Sequence, residues 1–311
     1  MPPRWIARPE EAGVRLDKYL AAPERLGSRA RAVEALARGK VFVNDREASR
    51  RDAGSRLRAG DAVRFWIDRP GSARRPVSLG DRRDLGIVYE DESVVVLNKP
   101  AGVLAVPLDR HGAARSVYED LKAYLRQRRG PRPLVVHRID RDTSGLVIFA
   151  KHARAQEQLR GQFKRRTPQR VYLAVVYGHP TPPSGTWRDR LTWDKKFLIQ
   201  KETHPRDREG KDAVSRYRVV ERLKDASLIE VQLVTGRRNQ IRIQARLHGH
   251  TLVGERRYVF GPESLRTIAF SRQALHAHRL TFEHPATGRI LTFEAPVPED
   301  LGQLIASLRL S

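Results

Sequence analysis

Short apolar runs recur along most of the chain, many of them with apolar and polar positions alternating. The alternation is clearest at Ile229, Val231 and Leu233, and it is typical of a strand with one buried face. A helical spacing of apolar residues occurs at about 115–129. Strands and helices without a regular βαβ order indicate an α+β fold. The strands predicted in this part of the chain are 87–89, 94–97, 133–136, 146–150, 171–177, 213–220 and 227–234.

The first part of the chain has a smaller set of elements of its own. Helices are predicted at 15–20 and after Ser28, a residue suited to the N-cap position, and strands at 41–43 and 63–67. The Pro- and Arg-containing stretch 69–76 has no apolar periodicity and is typical of a linker. We therefore expect three parts: a small α/β domain at 1–68, a linker at 69–82 and a larger domain at 83–311.

The chain is strongly basic. Its 311 residues include 60 Lys and Arg against 36 Asp and Glu, which gives a formal net charge of +24 and a pI near 11.1. Such an excess favours a polyanionic partner, and nucleic acid is the commonest one. Because 49 of the 60 basic residues are Arg, a genome rich in G and C explains the excess equally well.

Some classes of protein are excluded by what the sequence lacks. There is no Cys, so disulfides and Cys-based metal or nucleophile sites are impossible. The first ten residues lack the apolar core of a signal peptide, and the longest apolar runs are far too short to span a membrane. We expect a cytoplasmic protein with no membrane partner.

A dense polar cluster, residues 137–145, lies between two predicted strands. Loops that join strands are where a rigid scaffold presents reactive groups. Asp140 or Asp142 suits a nucleophile or a general base, and Thr143-Ser-Gly145 suits a tight turn. A surface loop held by Asx and Ser/Thr turns explains the same residues about as well.

A second cluster, residues 233–242, is predicted to break as a strand at Gly236 and to continue as a helix from about Asn239. The helix N-terminus and the row Arg238, Arg242 and Arg246 predict an anion-binding face. A solvated arginine stripe is the alternative.

Several segments together resemble the RluA-type family of pseudouridine synthases, and they follow one another in the family's order. The central His-Arg-Ile-Asp motif is the most specific of them. The segments are Val96-Leu-Asn-Lys-Pro-Ala-Gly102, His137-Arg-Ile-Asp140 with Thr143-Ser-Gly145, Arg170-Val-Tyr172, Thr235-Gly-Arg237 with Gln240-Ile-Arg242, and Arg272-Gln-Ala-Leu-His-Ala277 with His284-Pro285 and Phe293-Glu-Ala-Pro296. A separate set of short segments lies within residues 15–67: Arg15-Leu-Asp-Lys18, Ser28-Arg-Ala-Arg31, Gly39-Lys-Val41, Val43-Asn44 and Gly60-Asp61. Through them this part of the chain resembles the RNA-binding domain named after small-subunit ribosomal protein four.

The resemblance implies a mechanism and its residues. Asp140 is implied to be the catalytic aspartate, and Tyr172 the aromatic residue that packs against the target base and assists proton removal. Arg242 is implied to pair with the aspartate, and Arg138 to fill the gap left by a flipped base. Isomerising uridine to pseudouridine adds no atom and exchanges no electrons, so neither a cofactor nor a metal is expected. The implied catalytic domain is a mixed, mainly antiparallel sheet flanked by helices and loops.

The resemblance also implies partners. RNA is the expected substrate, with large-subunit ribosomal RNA favoured over transfer RNA, and the protein is expected to be a monomer. A non-catalytic RNA-binding ribosome-assembly factor is one alternative, which an Asp140 without an arginine in reach would favour. A glycoside hydrolase using Asp140 and Asp142 is another. The residues expected to bind RNA are Arg138, Arg29, Arg31, Arg38, Lys40 and Arg237.

The sequence departs from the family pattern at three positions. Asn239 stands where His is usual, Thr251 where Pro is usual, and Glu255 where Asp is usual. None of the three is expected to touch the presumed nucleophile. The departures therefore predict altered substrate contacts rather than lost activity.

Overall fold

The structure is a computed structural model that describes residues 4–37, 40–66, 85–107, 115–195, 197, 199–259 and 268–309. The chain divides into two compact units, residues 1–78 and 79–311. The linker predicted at 69–82 lies outside the described residues, as does Arg38. The exact domain limits therefore stay a prediction.

The first unit combines a small sheet with two helices. Its elements are β1 (Arg4–Ile6), α1 (Leu16–Leu20), α2 (Arg29–Ala37), β2 (Val41–Val43), β3 (Arg46–Ala48) and β4 (Ala62–Phe65). The described strands form an antiparallel sheet in the order β1-β4-β2-β3. Leu16 and Leu20 of α1 and Leu36 of α2 pack with strand residues in one core. Ser28 accepts a hydrogen bond from the backbone N–H of Arg31 at 3.2 Å, which makes it the predicted cap of α2.

The second unit is built on one large sheet. Its strands are β5 (Ile87–Glu90), β6 (Val94–Lys99), β7 (Leu134–Val135), β8 (Ser144–Ala150), β9 (Gln169–Tyr177), β10 (Ser184–Asp194), β11 (Ile199–Glu202), β12 (Lys211–Leu223), β13 (Ala226–Leu233), β14 (Leu275–Glu283) and β15 (Ile290–Glu294). The order is β11-β10-β12-β13-β9-β14-β8-β6-β5, with β15 on β14 and β7 on β8. Among the described strands only β14 and β8 pair in parallel. This mixed, mainly antiparallel sheet confirms the predicted α+β fold.

Helices cover both faces of the sheet. They are α3 (Val117–Gln127), α4 (Ala153–Arg165), α5 (Gln240–Leu247) and α6 (Glu299–Arg309). Alternate residues of β6 pack toward α3 and toward α4, so this strand is buried on both sides and reads as a continuous apolar run. On β9, Tyr172 and Ala174 pack with α5, whereas Leu173 and Val175 pack with α6. The face that carries Tyr172 is thus the face that α5 covers.

The parallel pair β8–β14 depends on Gly145. Its φ is +108°, and a Cβ at this position would lie 2.2 Å from the carbonyl oxygen of Ala277. Only glycine allows the two backbones to approach this closely. The residues before Gly145, which contain the predicted catalytic motif, are therefore fixed against β14.

Some element predictions were wrong in extent. The strand predicted at 133–136 is reduced to the two residues of β7, and the turn predicted at Thr143–Gly145 lies earlier, with the Thr143 N–H bonded to the Asp140 carbonyl at 3.2 Å. The sequence patterns did not identify several elements. These are β1 and β3 in the first unit and α4, α6, β10, β11, β14 and β15 in the second. None of the helices in the described ranges is both long enough and apolar enough to cross a membrane.

Candidate active site

A pocket of about 600 Å³ lies in the second unit, between the loop that precedes β8, the start of β9 and the N-terminal end of α5. Asp140, Tyr172 and Arg242 all line it, as do Arg138 and Arg237. Asp140 is the only acidic residue among the described residues that line it. The basic residues on its wall are Arg138, Lys164, Arg166, Arg170, Arg237, Arg238 and Arg242.

Asp140 is held by two donors on the same oxygen. Its Oδ2 accepts a hydrogen bond from Asn239 Nδ2 at 2.6 Å and another from Arg242 Nη1 at 3.3 Å. The side chain keeps 23% of its surface exposed toward the pocket. A carboxylate that an arginine contacts on one oxygen and that keeps an open side can still meet a substrate. An Asp140 without an arginine in reach would have favoured a non-catalytic RNA-binding protein, but Arg242 is in contact with it.

Arg242 is fixed mainly by Glu255. Its Nε and Nη2 each donate to one oxygen of the Glu255 carboxylate at 2.6 Å, and that side chain has no exposed surface. Burial opposes charge on both groups, but their hydrogen bonds and mutual attraction outweigh it. The pKa of Arg242 is raised, with a smaller contribution from Asp140, and the pKa of Glu255 is lowered. Both groups are therefore charged at neutral pH.

Three backbone N–H groups complete the environment of Glu255. Arg256, Arg257 and Tyr258 donate to its Oε1 at 3.1, 2.8 and 3.3 Å. The turn that provides them follows Gly254, where φ is +73° and a Cβ would lie 2.0 Å from the Arg272 carbonyl oxygen. A glycine is thus needed for the backbone to wrap around the carboxylate.

The prediction that the departures from the family pattern lie away from the nucleophile was wrong. Asn239 contacts Asp140 directly, and Glu255 contacts Arg242, which contacts Asp140. Thr251 is buried, and its backbone carbonyl accepts the N–H of Tyr177. The sequence pattern alone could not show these contacts because Asn239 and Asp140 are 99 positions apart.

The central member of the predicted anion-binding row on α5 binds two anions of the protein itself. Arg242 donates through Nε, Nη1 and Nη2 to the carboxylates of Glu255 and Asp140. Arg238 lies with its guanidinium carbon 4.1 Å from the centre of the Trp193 ring. Burial and the neighbouring charges of Arg138 and Arg257 lower the pKa of Arg238.

Tyr172 lies in the wall of the pocket and is only 8% exposed. Burial raises the pKa of its hydroxyl, the charge of Arg170 opposes this, and the charge of Asp140 adds to it. The hydroxyl is therefore neutral at physiological pH. In this state the ring offers a flat surface to a base and the O–H group a donor, whereas the phenolate is disfavoured.

Lys99, the last residue of β6, holds the loop that carries Asp140 to the sheet. The fully buried Nζ of Lys99 donates to the carbonyls of Pro100, Val103 and Arg141 at 2.7, 2.8 and 2.8 Å. Burial lowers the pKa of Lys99 to about 7, while three carbonyl acceptors favour the ammonium form, the only form with three donors. Lys99 belongs to the Leu-Asn-Lys-Pro segment of the resemblance, but sequence reasoning assigned it no role.

His137 and Arg272 fix the two ends of the same loop. His137 accepts the N–H of Ile148 on Nε2 at 3.2 Å and stacks on Phe163 with ring centres 4.6 Å apart. Arg272 donates to the carbonyl of Asp142 at 3.2 Å and pairs with Asp300. The Asp140 backbone is thus held from several directions.

The remaining residues predicted to bind RNA are placed separately. Arg138 is exposed at the pocket, and Arg237 donates through Nε to the carbonyl of Asp212 at 2.9 Å. In the first unit, Arg29 pairs with Asp17 at 2.8 Å, Arg31 is exposed and Lys40 is partly buried.

Metal and paired-carboxylate chemistry find no support in this geometry. Over the ranges that the structure describes, no group of three or more His, Asp and Glu residues is placed to hold a metal. The carboxylate of Asp142 binds Arg141 at 3.0 Å and does not line the pocket. The glycoside hydrolase alternative needs both carboxylates at one substrate, so it is not supported.

Comparison with known proteins shows the family to which the chain belongs. Residues 93–247 match the family described as RNA pseudouridylate synthase. The chain is 38% identical, over 97% of each chain, to the Bacillus subtilis (strain 168) protein named uncharacterized RNA pseudouridine synthase YlyB. It is 36% identical to ribosomal large subunit pseudouridine synthase D of Zymomonas mobilis subsp. mobilis, over 100% of this chain and 99% of the relative.

A solved structure shows the same fold. Human RNA pseudouridylate synthase domain containing 4 superimposes with a TM-score of 0.59 at 22% identity, covering 72% of this chain and 93% of the human one. The chain belongs to the RNA pseudouridylate synthase family, in its RluA-type branch. It is a pseudouridine synthase.

Proposed function

We propose that the protein isomerises uridines of large-subunit ribosomal RNA, with Asp140 as the catalytic residue. The observation that carries this proposal is the placement of Asp140 as the one acid among the described residues of a basic pocket, with one oxygen held and the side chain open to the pocket. The relative from Zymomonas mobilis, named for the ribosomal large subunit, supports the choice of RNA. Transfer RNA is the second candidate.

In the proposed reaction, the Asp140 carboxylate attacks the ribose carbon or assists departure of the base. The bond from ribose to the base nitrogen breaks, the uracil turns, and a new bond forms from the ribose carbon to carbon five. Where the carboxylate has attacked, its bond to the ribose carbon breaks as the bond to carbon five forms, and the free carboxylate is regenerated. The proton on carbon five is lost and the freed nitrogen gains one, so the atoms balance. Tyr172 provides a neutral ring against which the uracil can stack, and a neutral O–H close to the turning base.

The basic wall of the pocket suits the rest of the substrate. Arg138 is exposed beside Asp140, where it can occupy the place of a flipped base, and Arg237 lies on the same wall. Flipping costs a few kcal/mol of stacking, which these contacts offset. Residues 1–68 form, in this proposal, an RNA-binding domain whose Arg29, Arg31, Arg38 and Lys40 add phosphate contacts.

The test compares Asp140→Asn with Asp142→Asn. Asp140→Asn removes the charge of the proposed nucleophile, so we expect no pseudouridine in a large-subunit ribosomal RNA transcript and unchanged RNA binding. Asp142→Asn is a matched control two residues away, since its carboxylate binds Arg141 outside the pocket, and it keeps most of the activity. Turnover by pure Asp140→Asn would contradict the assignment.

The substrate is tested by mapping pseudouridines in total RNA from cells with and without the gene. We expect sites in large-subunit ribosomal RNA to disappear. Loss of sites in transfer RNA alone would replace the proposed substrate with the second candidate.

A further inference from the structure

A directed chain of hydrogen bonds runs from the backbone of β11 to the carboxylate of Asp140. The backbone N–H of Gln200 donates to Tyr258 Oη at 3.1 Å, and Tyr258 Oη donates to Asn239 Oδ1 at 3.1 Å. Asn239 Nδ2 then donates to Asp140 Oδ2 at 2.6 Å. The chain therefore links the edge strand of the large sheet to the candidate active site through two side chains.

The direction of this chain is fixed at its first member. A peptide N–H can only donate, so the oxygen of Tyr258 accepts there and its single proton is left for Asn239. The amide oxygen of Asn239 accepts that proton, which leaves the amide NH₂ group facing Asp140. The orientation of the Asn239 amide is thus determined by its hydrogen bonds to Tyr258 and Asp140.

Burial and backbone conformation keep both side chains in place. Tyr258 has no exposed surface and Asn239 is largely buried, so neither is well placed to exchange its partner for bulk water. Asn239 has φ +52° and precedes α5 as its N-cap residue. Asn is one of the few residues other than Gly that adopts this left-handed conformation readily. An Asn at this position therefore suits both the left-handed backbone conformation and the contact with Asp140.

The chain makes the two oxygens of Asp140 unequal. Oδ2 accepts from both Asn239 and Arg242, whereas Oδ1 accepts no hydrogen bond from the residues the structure describes. Two donors on one oxygen restrict the rotation of the carboxylate. The lone pairs of Oδ1 stay without a donor among the described residues.

We propose that Asn239 is a positioning residue which, through an amide oriented by Tyr258, holds Oδ2 of Asp140 and presents Oδ1 to the ribose of the substrate. This inference rests on the proposed function, because it assigns the reacting oxygen of the proposed catalytic aspartate. The family pattern has His at this position, so in this chain an uncharged amide that does not titrate makes the contact.

The test is a double-mutant cycle on single-turnover rates. Asn239→Ala loses the donor to Oδ2, and we expect the rate to fall about 10- to 100-fold, the size of one hydrogen bond to a charged group. Tyr258→Phe frees the amide to flip, and we expect a smaller loss of about 3- to 10-fold. Tyr258→Phe keeps the ring and removes only the hydroxyl, which reaches Asp140 through Asn239. The double variant should therefore be no slower than Asn239→Ala. The dissociation constant for RNA should change less than twofold in each.

Tyr217→Phe is the matched control for the tyrosine. It also removes one hydroxyl hydrogen bond, to the carbonyl of Pro182 at 3.0 Å, but it lies outside the chain that ends at Asp140. We expect its rate to stay within twofold of the wild-type rate. Unchanged rates in Asn239→Ala, or losses that multiply in the double variant, would overturn the proposal.

A second measurement separates this proposal from the proposed function. The side-chain amide signals of Asn239, identified in ¹⁵N spectra by their loss in Asn239→Ala, should shift on Asp140→Asn and on Tyr258→Phe but not on Tyr217→Phe. Signals that move with neither neighbour would refute the hydrogen-bond chain whatever the turnover. If wild-type enzyme leaves RNA unmodified while these shifts occur, the proposed function fails and the positioning of Asp140 by Asn239 stands.

Discussion

The ion pair of Glu255 and Arg242 gives the sharpest prediction for stability. Glu255→Gln keeps the shape of the side chain but removes its charge, and the new NH₂ group has no acceptor on the guanidinium. The carboxylate it replaces has no exposed surface and accepts two hydrogen bonds from Arg242 and three from backbone N–H groups. Removing one partner of a buried pair costs roughly 3–5 kcal/mol, and the longer contact of Arg242 with Asp140, at 3.3 Å, offsets only part of it. We expect a loss of that size in the free energy of unfolding.

Asp300→Asn is the matched control, because Asp300 also pairs with a buried arginine, Arg272. Its carboxylate is 42% exposed, and Arg272 keeps three carbonyl acceptors after the substitution. We expect a loss of only about 1–2 kcal/mol.

The assay is urea unfolding followed by tryptophan fluorescence. The protein has four Trp residues, of which Trp187 and Trp193 lie in the second unit. A background with Trp5→Phe and Trp66→Phe confines the signal to that unit. If Glu255→Gln loses no more free energy of unfolding than Asp300→Asn, the reasoning is refuted, because the Glu255–Arg242 pair then behaves like a partly exposed ion pair. Glu255→Asp, the family's usual residue, should recover most of the stability.

Two further predictions concern the support of the catalytic loop. Burial, with a smaller effect from the charge of Arg170, lowers the pKa of His137 from 6.5 to about 3. Between these two pH values the unfolded chain binds more protons than the folded one. The free energy of unfolding therefore falls as the pH is lowered from 6.5 toward 3. Between pH 7 and pH 5, wild type should therefore lose about 1–2 kcal/mol more of its free energy of unfolding than His137→Gln, measured by urea titration at both values. An equal loss would contradict the assignment of a neutral, partly buried imidazole. Gly145→Ala should cost about 3 kcal/mol or more, because the new methyl group meets the Ala277 carbonyl at a positive φ. Gly302→Ala is the control, because a Cβ at Gly302 on α6 would lie in open space. By thermal unfolding this variant should be as stable as wild type or slightly more stable. Similar melting temperatures for the two variants would be evidence against a tight β8–β14 contact.

The parts of the fold that could be predicted from sequence are those with a strong local pattern. The continuous apolar run of β6 reflects burial on both faces, and the alternation at β13 reflects burial on one face. Both strands were predicted close to their true positions. Helix α4 was missed although it has an apolar stripe, because eight of its thirteen residues are charged or Gln. Strand β14 was missed because its alternation is broken by two His and an Arg that find partners only in the folded sheet.

For the site, the sequence could identify residues but not contacts. The motif around Asp140 and the segments with Tyr172 and Arg242 were found through a resemblance, and the structure brings all three to one pocket. The contacts of Asn239 and Glu255 join positions that no local pattern relates. Their identities were visible as departures from the family, and that was the one signal that could have drawn attention to them.

The position of β14 has a consequence for how the molecule is made. This strand lies between β9 and β8, and thus joins the half of the sheet that carries Tyr172 to the half that follows Asp140. Yet it is synthesised more than a hundred residues after β8 and almost a hundred after β9. During translation the two halves can each form local hairpins, but they cannot be joined until residues 275–283 have left the ribosome. A newly made chain is therefore without a completed active site until nearly the whole second unit has been synthesised, which delays its action on RNA until the end of its own production.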